Sequence, residues 1–94
     1  MSNEANATDV LLERSAIEQK ILAYLTTRLK TEIAPSQDIF AKGLVNSMFA
    51  MELVVQLEGE FGVAIIGSDL QLANFRSVDK MVDLVHRLRE HHGE

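Results

Sequence analysis

The sequence predicts an all-α fold, a small four-helix bundle of three main helices and one short one, with a long loop between helices one and two. Three observations predict it. Apolar residues recur at three- and four-residue spacings in three separate segments. Cap-forming residues, with Pro and Gly, fall between those segments. The one run with strand composition, Val63-Ala64-Ile65-Ile66, has no second strand to pair with, so it reads as a buried connector.

The first helix is signalled by Ile17, Ile21, Leu25 and Leu29 at four-residue spacing, flanked by Leu22 and Tyr24. Its start is open. Ser15-Ala16-Ile17-Glu18 has the form of a capping box, and Thr8-Asp9 offers an earlier cap. The helix should end near Lys30, ahead of Pro35 and the polar Ser36-Gln37-Asp38. Residues 31–46 read as a long loop carrying Ile33, Ile39, Phe40, Leu44 and Val45, laid across the core. Loops of this kind are uncommon unless functional. Helix two should begin at Asn46 or Ser47, both good caps. It runs through Met48, Met51, Val54, Val55, Leu57 and Phe61, and Gly62 terminates it. One short helical turn fits within residues 68–73. Ser77 then caps the last helix, whose stripe is Val78, Met81, Val82, Val85 and Leu88. Residues 1–8 read as a flexible N-terminal tail, 9–90 as one domain and 91–94 as a flexible C-terminal tail.

Composition narrows the function. The chain has 94 residues, 47% of them hydrophobic and 24% charged, which suits a single compact domain with one modest core. It has no cysteine, so disulfides, thiolate metal sites and a cysteine nucleophile are excluded. Nine Lys and Arg against 14 Asp and Glu give a net charge of −5, which argues against nucleic acid as a partner. The apolar runs are far too short to span a membrane, and the polar N-terminus does not read as a signal peptide, so the expectation is a cytoplasmic protein. No phosphate loop, nucleophile elbow, H-E-x-x-H or calcium-loop spacing is present. His86, His91 and His92 read as surface or tail residues, and no metal site is expected.

Two features remain. Between Gly43 and Phe75 there is no Lys or Arg, while Glu52, Glu58, Glu60 and Asp69 lie there. Helix two is thus acidic, with more apolar residues than a core face needs. Phe49, with Met51 or Val55, should lie near the surface, forming a strip suited to basic partners. The second feature is Ser47, where the apolar loop meets a helix N-terminus. By position alone it is a cap. The same position would favour a phosphate ester, because free N–H groups and a partial positive charge face it.

The run from Asp38 to Met48, Asp38-Ile39-Phe40-Ala41-Lys42-Gly43-Leu44-Val45-Asn46-Ser47-Met48, resembles the segment around the attachment serine of acyl and peptidyl carrier proteins. The similarity continues through Glu52-Leu53-Val54, Leu57-Glu58, Glu60-Phe61-Gly62 and Asn74-Phe75-Arg76-Ser77-Val78, and covers roughly residues 15–90. The resemblance implies a four-helix bundle bearing covalent 4′-phosphopantetheine, donated by coenzyme A, on Ser47. Ser47 Oγ would attack the coenzyme A pyrophosphate and become the phosphodiester, and the arm's thiol would hold an acyl or aminoacyl thioester. The chain itself would be no enzyme. Implied partners are a phosphopantetheinyl transferase, an acyl- or aminoacyl-loading enzyme, tailoring dehydrogenases, and the acyltransferase or ketosynthase of a polyketide synthase, all visited by a monomer.

Asn46, Met48, Phe49, Met51, Glu52, Val55 and Glu58 would form the partner-binding surface, with Glu60 beside them. Asn46 replaces the usual Asp, and Phe49 stands where a polar residue is common. The string from Leu44 to Met51 looks most like carriers of unusual extender units (hydroxymalonyl, methoxymalonyl or aminomalonyl) in polyketide or hybrid peptide–polyketide pathways. The alternative is a non-enzymatic acidic module that docks a basic partner through helix two, with Ser47 only a cap.

Overall fold

The computed structural model describes residues 3–41 and 43–92, with side-chain burial over 8–41 and 43–90. Three α-helices form it: α1 (Asn3–Leu29), α2 (Ser47–Phe61) and α3 (Val78–His92). No strand occurs among the described residues, and no described helix is long and apolar enough to cross a membrane.

The core follows the predicted periodicity in α1 and α3. Ile17, Ile21 and Leu25 are buried from α1, and Val78, Met81, Val82 and Val85 from α3, joined by Leu84. These two helices form the most extensive helix contact. Ser77 caps α3 as expected, its Oγ accepting the Lys80 N–H at 3.2 Å. Leu53, Leu57 and Val54 of α2 close the core from the other side.

Three expectations change. The first helix starts neither at Ser15 nor at Thr8: it runs back to Asn3, through residues assigned to a tail, and is 27 residues long. Ser15 sits mid-helix and exposed. Nothing between residues 3 and 15 is Gly or Pro, so no residue there forces a break. Instead of one short helix, the chain makes two 3₁₀ turns, Gly67–Asp69 and Leu72–Phe75. Leu70, at φ −82° and ψ 69°, interrupts what would otherwise be one element.

His86 is not a surface residue. Its side chain is only 12% exposed, and Nε2 lies 3.7 Å from both Glu13 Oε1 of α1 and Glu90 Oε2 of its own helix. His91 and His92 lie within α3, and Gly93 and Glu94 fall outside the described residues.

The connector 63–66 is not a strand. Val63 and Ile65 alternate inward, while Ala64 and Ile66 face out. Gly62, at φ 66°, turns the chain out of α2, and its N–H bonds the Glu58 carbonyl at 2.9 Å.

Candidate functional site

The site is built by the loop between α1 and α2. Its apolar residues are anchors: Ile33, Ile39 and Val45 are buried. Ile39 N–H donates to the Arg76 carbonyl at 2.8 Å, and Asp79 N–H to the Pro35 carbonyl at 2.9 Å, so the loop is stitched to the entry of α3. Asp38 organises the tip. Its Oδ1 accepts the N–H groups of Phe40 (2.9 Å) and Ala41 (3.1 Å), and its Oδ2 meets Arg76 at 3.2 Å. The Phe40 N–H contact leads the effects that hold the Asp38 carboxyl below its ordinary value of 3.8, assisted by Ala41 and Arg76 against partial desolvation. Gly43, at φ 72°, makes the left-handed turn that returns the chain to Val45.

α2 begins immediately afterwards. Asn46 is extended, at φ −126°, and its side-chain oxygen accepts the Phe49 N–H at 2.9 Å. Asn46 is therefore the cap, and Ser47 is the first helical residue, exposed to solvent. The capping role open to Ser47 in the sequence is filled by its neighbour. The N–H groups of Ser47 and Met48 have no intrahelical acceptor, because they precede the first full turn. The first turn carries no acidic side chain. An exposed hydroxyl beside two free donors and no competing carboxylate is a fit place for a phosphodiester.

One side of Ser47 opens on an apolar pocket of about 220 Å³. Ala50, Met51 and Val54 of α2 line it, with Leu70, Leu72 and Phe75 from the 3₁₀ segment opposite. Among the described residues, no group of three or more His, Asp or Glu is placed to hold a metal ion.

A small helical scaffold that holds one serine hydroxyl out at a helix start is a platform for a covalently attached group. The family model for the phosphopantetheine attachment site matches residues 19–85, well over half of the chain, and the chain belongs to that family. A search of curated proteins finds no match. The family assignment makes this a carrier protein for acyl intermediates, with covalently attached 4′-phosphopantetheine as its cofactor and no catalytic activity of its own.

The residues expected to meet partners divide into two groups. Met48, Met51 and Val55 all face solvent, at 78%, 61% and 68% exposure. Their spacing had read as part of the core stripe. The buried stripe of α2 is instead Ala50, Leu53, Val54 and Leu57. Phe49 is half-buried, stacked on Tyr24 with ring centroids 6.4 Å apart.

The carboxylates are engaged within the chain. Glu52 Oε1 meets Arg28 Nη2 at 2.6 Å, Glu60 meets Lys20 at 3.3 Å, and Glu58 Oε2 accepts the Ile65 N–H at 2.8 Å. The hydrogen bond to Glu52 raises Arg28 above its ordinary value. Arg28 also donates to the Tyr24 hydroxyl at 2.7 Å and lies over the Phe49 ring, 4.9 Å from its centroid. Arg28, Tyr24, Leu70 and Leu72 were not singled out from sequence as site residues. The gap in basic residues from 43 to 75 concealed that α1 supplies the countercharges.

Proposed function

We propose that this chain carries its acyl or aminoacyl cargo on Ser47, in polyketide or hybrid peptide–polyketide biosynthesis in the cytoplasm. Ser47 Oγ forms the new P–O bond as the pyrophosphate bond of coenzyme A breaks. A phosphopantetheinyl transferase performs that step. A loading enzyme then charges the arm, and tailoring dehydrogenases and a polyketide synthase acyltransferase or ketosynthase act on what it holds. The cargo is an unusual extender unit of the hydroxy-, methoxy- or aminomalonyl type, on the likeness of residues 44–51 to such carriers.

The observation that carries the reading is the division of labour at the start of α2. Asn46 makes the cap hydrogen bond, which leaves the exposed Ser47 hydroxyl without that duty. The bound phosphate would face the free N–H groups of Ser47 and Met48, and the adjacent apolar pocket would flank the arm's root. Co-expression with a broad-specificity phosphopantetheinyl transferase, followed by intact-protein mass measurement, tests this. One added arm is expected on the wild-type chain and none on Ser47→Ala. An unmodified wild-type chain, or a modified Ser47→Ala chain, overturns it.

A further inference from the structure

We propose that α2 docks its enzymes through a charge-neutral apolar stripe, and that it selects partners presenting an apolar hollow without a cluster of basic residues. The proposal rests on Ser47 bearing the arm, and it names the chemistry of the surface that must cover it.

The stripe is Met48, Met51 and Val55, spaced three and four residues apart and so on one face of the helix. Each is more than three-fifths exposed. Leu70 and Leu72 extend it across the pocket, at 47% and 44% exposure. Met51 lines the same pocket as Ser47, so an active site that reaches an arm rooted at Ser47 brings its rim over this stripe. Methionines also suit a surface that meets several enzymes, because their unbranched side chains adapt to different shapes.

The charges beside the stripe cancel. α2 carries three carboxylates, Glu52, Glu58 and Glu60. Glu52 is matched by Arg28, and Arg28 is held in place by Glu52, the Tyr24 hydroxyl and the Phe49 ring together. Glu60 is matched by Lys20. Glu58 spends one oxygen on the Ile65 N–H, in a part-buried position. The two ion pairs have no net charge, so this face projects little field toward an approaching enzyme. A basic patch on a partner would meet Arg28 and Lys20 as well as their carboxylates. It would gain little attraction while losing its own hydration. An uncharged apolar hollow incurs no such loss and buries the stripe.

The test measures the rate at which a broad-specificity phosphopantetheinyl transferase, with coenzyme A and Mg²⁺, modifies the intact chain. Val55→Lys and Met51→Lys place a charge on the stripe at exposed positions that leave the core untouched. Glu52→Gln and Glu60→Gln remove the carboxylates. Circular dichroism melts of every variant check that it is folded. The expected result is a fall in kcat/KM of at least about tenfold for each stripe variant and a change within about twofold for each Gln variant. A tenfold fall in either Gln variant, or stripe variants that remain within twofold of wild type, overturns the proposal. A folded wild-type chain that accepts no arm at all overturns the reading of Ser47 instead, and the absence of any mass increase tells the two failures apart.

Discussion

Asn46 and Ser47 are adjacent, both polar and both suited to start a helix, yet they should respond oppositely to removal. Asn46→Ala deletes the oxygen that accepts the Phe49 N–H at 2.9 Å and strands that donor at the head of α2. Loss of an N-cap side chain costs about 1 kcal/mol, within a range of roughly 0.5–2. For a domain of this size about 1 kcal/mol lowers Tm by roughly 4–8 °C. Ser47→Ala removes a hydroxyl from the first helical residue, where the side chain is exposed. Its effect on stability should stay within about 0.5 kcal/mol.

A third variant isolates the charge. Asn46→Asp keeps an oxygen acceptor in place and adds a negative charge to a first turn that has none. Favourable interaction with the helix dipole should raise stability by about 0.3–1 kcal/mol at low ionic strength, and salt should erase the gain. Thermal melts followed by circular dichroism at low and high salt measure all three. A Ser47→Ala chain destabilised as much as Asn46→Ala would show that the serine shares the cap, and the division of roles at this junction would be wrong.

Three further outcomes follow from the packing. Leu53→Ala, at a fully buried position, should cost about 2–5 kcal/mol in urea unfolding. Met51→Ala, on the outer stripe of the same helix, should stay within about 0.5 kcal/mol, and equal losses would mean that the two faces of α2 are misassigned. Asp38→Ala should lower Tm at neutral pH by releasing the loop tip. The native carboxyl titrates below 3.8, so its stabilisation is complete above that value and disappears as pH falls through the lower folded value. The gap in Tm between wild type and variant should therefore narrow below pH 3.8, and a gap independent of pH would remove the carboxylate's charge from the account.

Local signals were legible where one cause dominates. In α3 the apolar positions fall on a single face, and the stripe read from spacing is the one that is buried. Gly62 and Ser77 mark ends because their backbone or side-chain chemistry acts within a few residues. α2 was harder because it is apolar on two faces. Met48, Met51 and Val55 have as good a helical spacing as Ala50, Leu53, Val54 and Leu57, and only the position of α1 and α3 decides which set is buried.

The Ser15-Glu18 box misled for a related reason, since its residues are also ordinary helix-interior residues when the preceding chain is already helical. The acidic character of α2 depended on a gap in sequence. Arg28 and Lys20 lie outside that gap in sequence but on the neighbouring helix, within ion-pair distance. His86 was read as exposed from its place among charged residues, and Glu13, 73 positions earlier in the chain, is part of what covers it.

The loop and the helix start together explain why a serine at this position can serve as a pivot. A tethered group delivers cargo to one enzyme after another only if its root stays fixed while the rest moves, because every uncertainty in the root's position adds to the space the far end must search. An exposed loop is ordinarily the least ordered part of a domain. Here the residues before the serine are held from several directions: Ile39 and Val45 are buried, the Ile39 N–H bonds the α3 entry, and Asp38 binds two backbone N–H groups and Arg76. Immediately after it, Ala50 N–H bonds the Asn46 carbonyl at 3.0 Å and begins the helix. Ser47 is thus exposed in its side chain but constrained in its backbone. Those two properties conflict in most loops, and they are reconciled here because the constraints lie on the flanking residues and the hydroxyl lies between them.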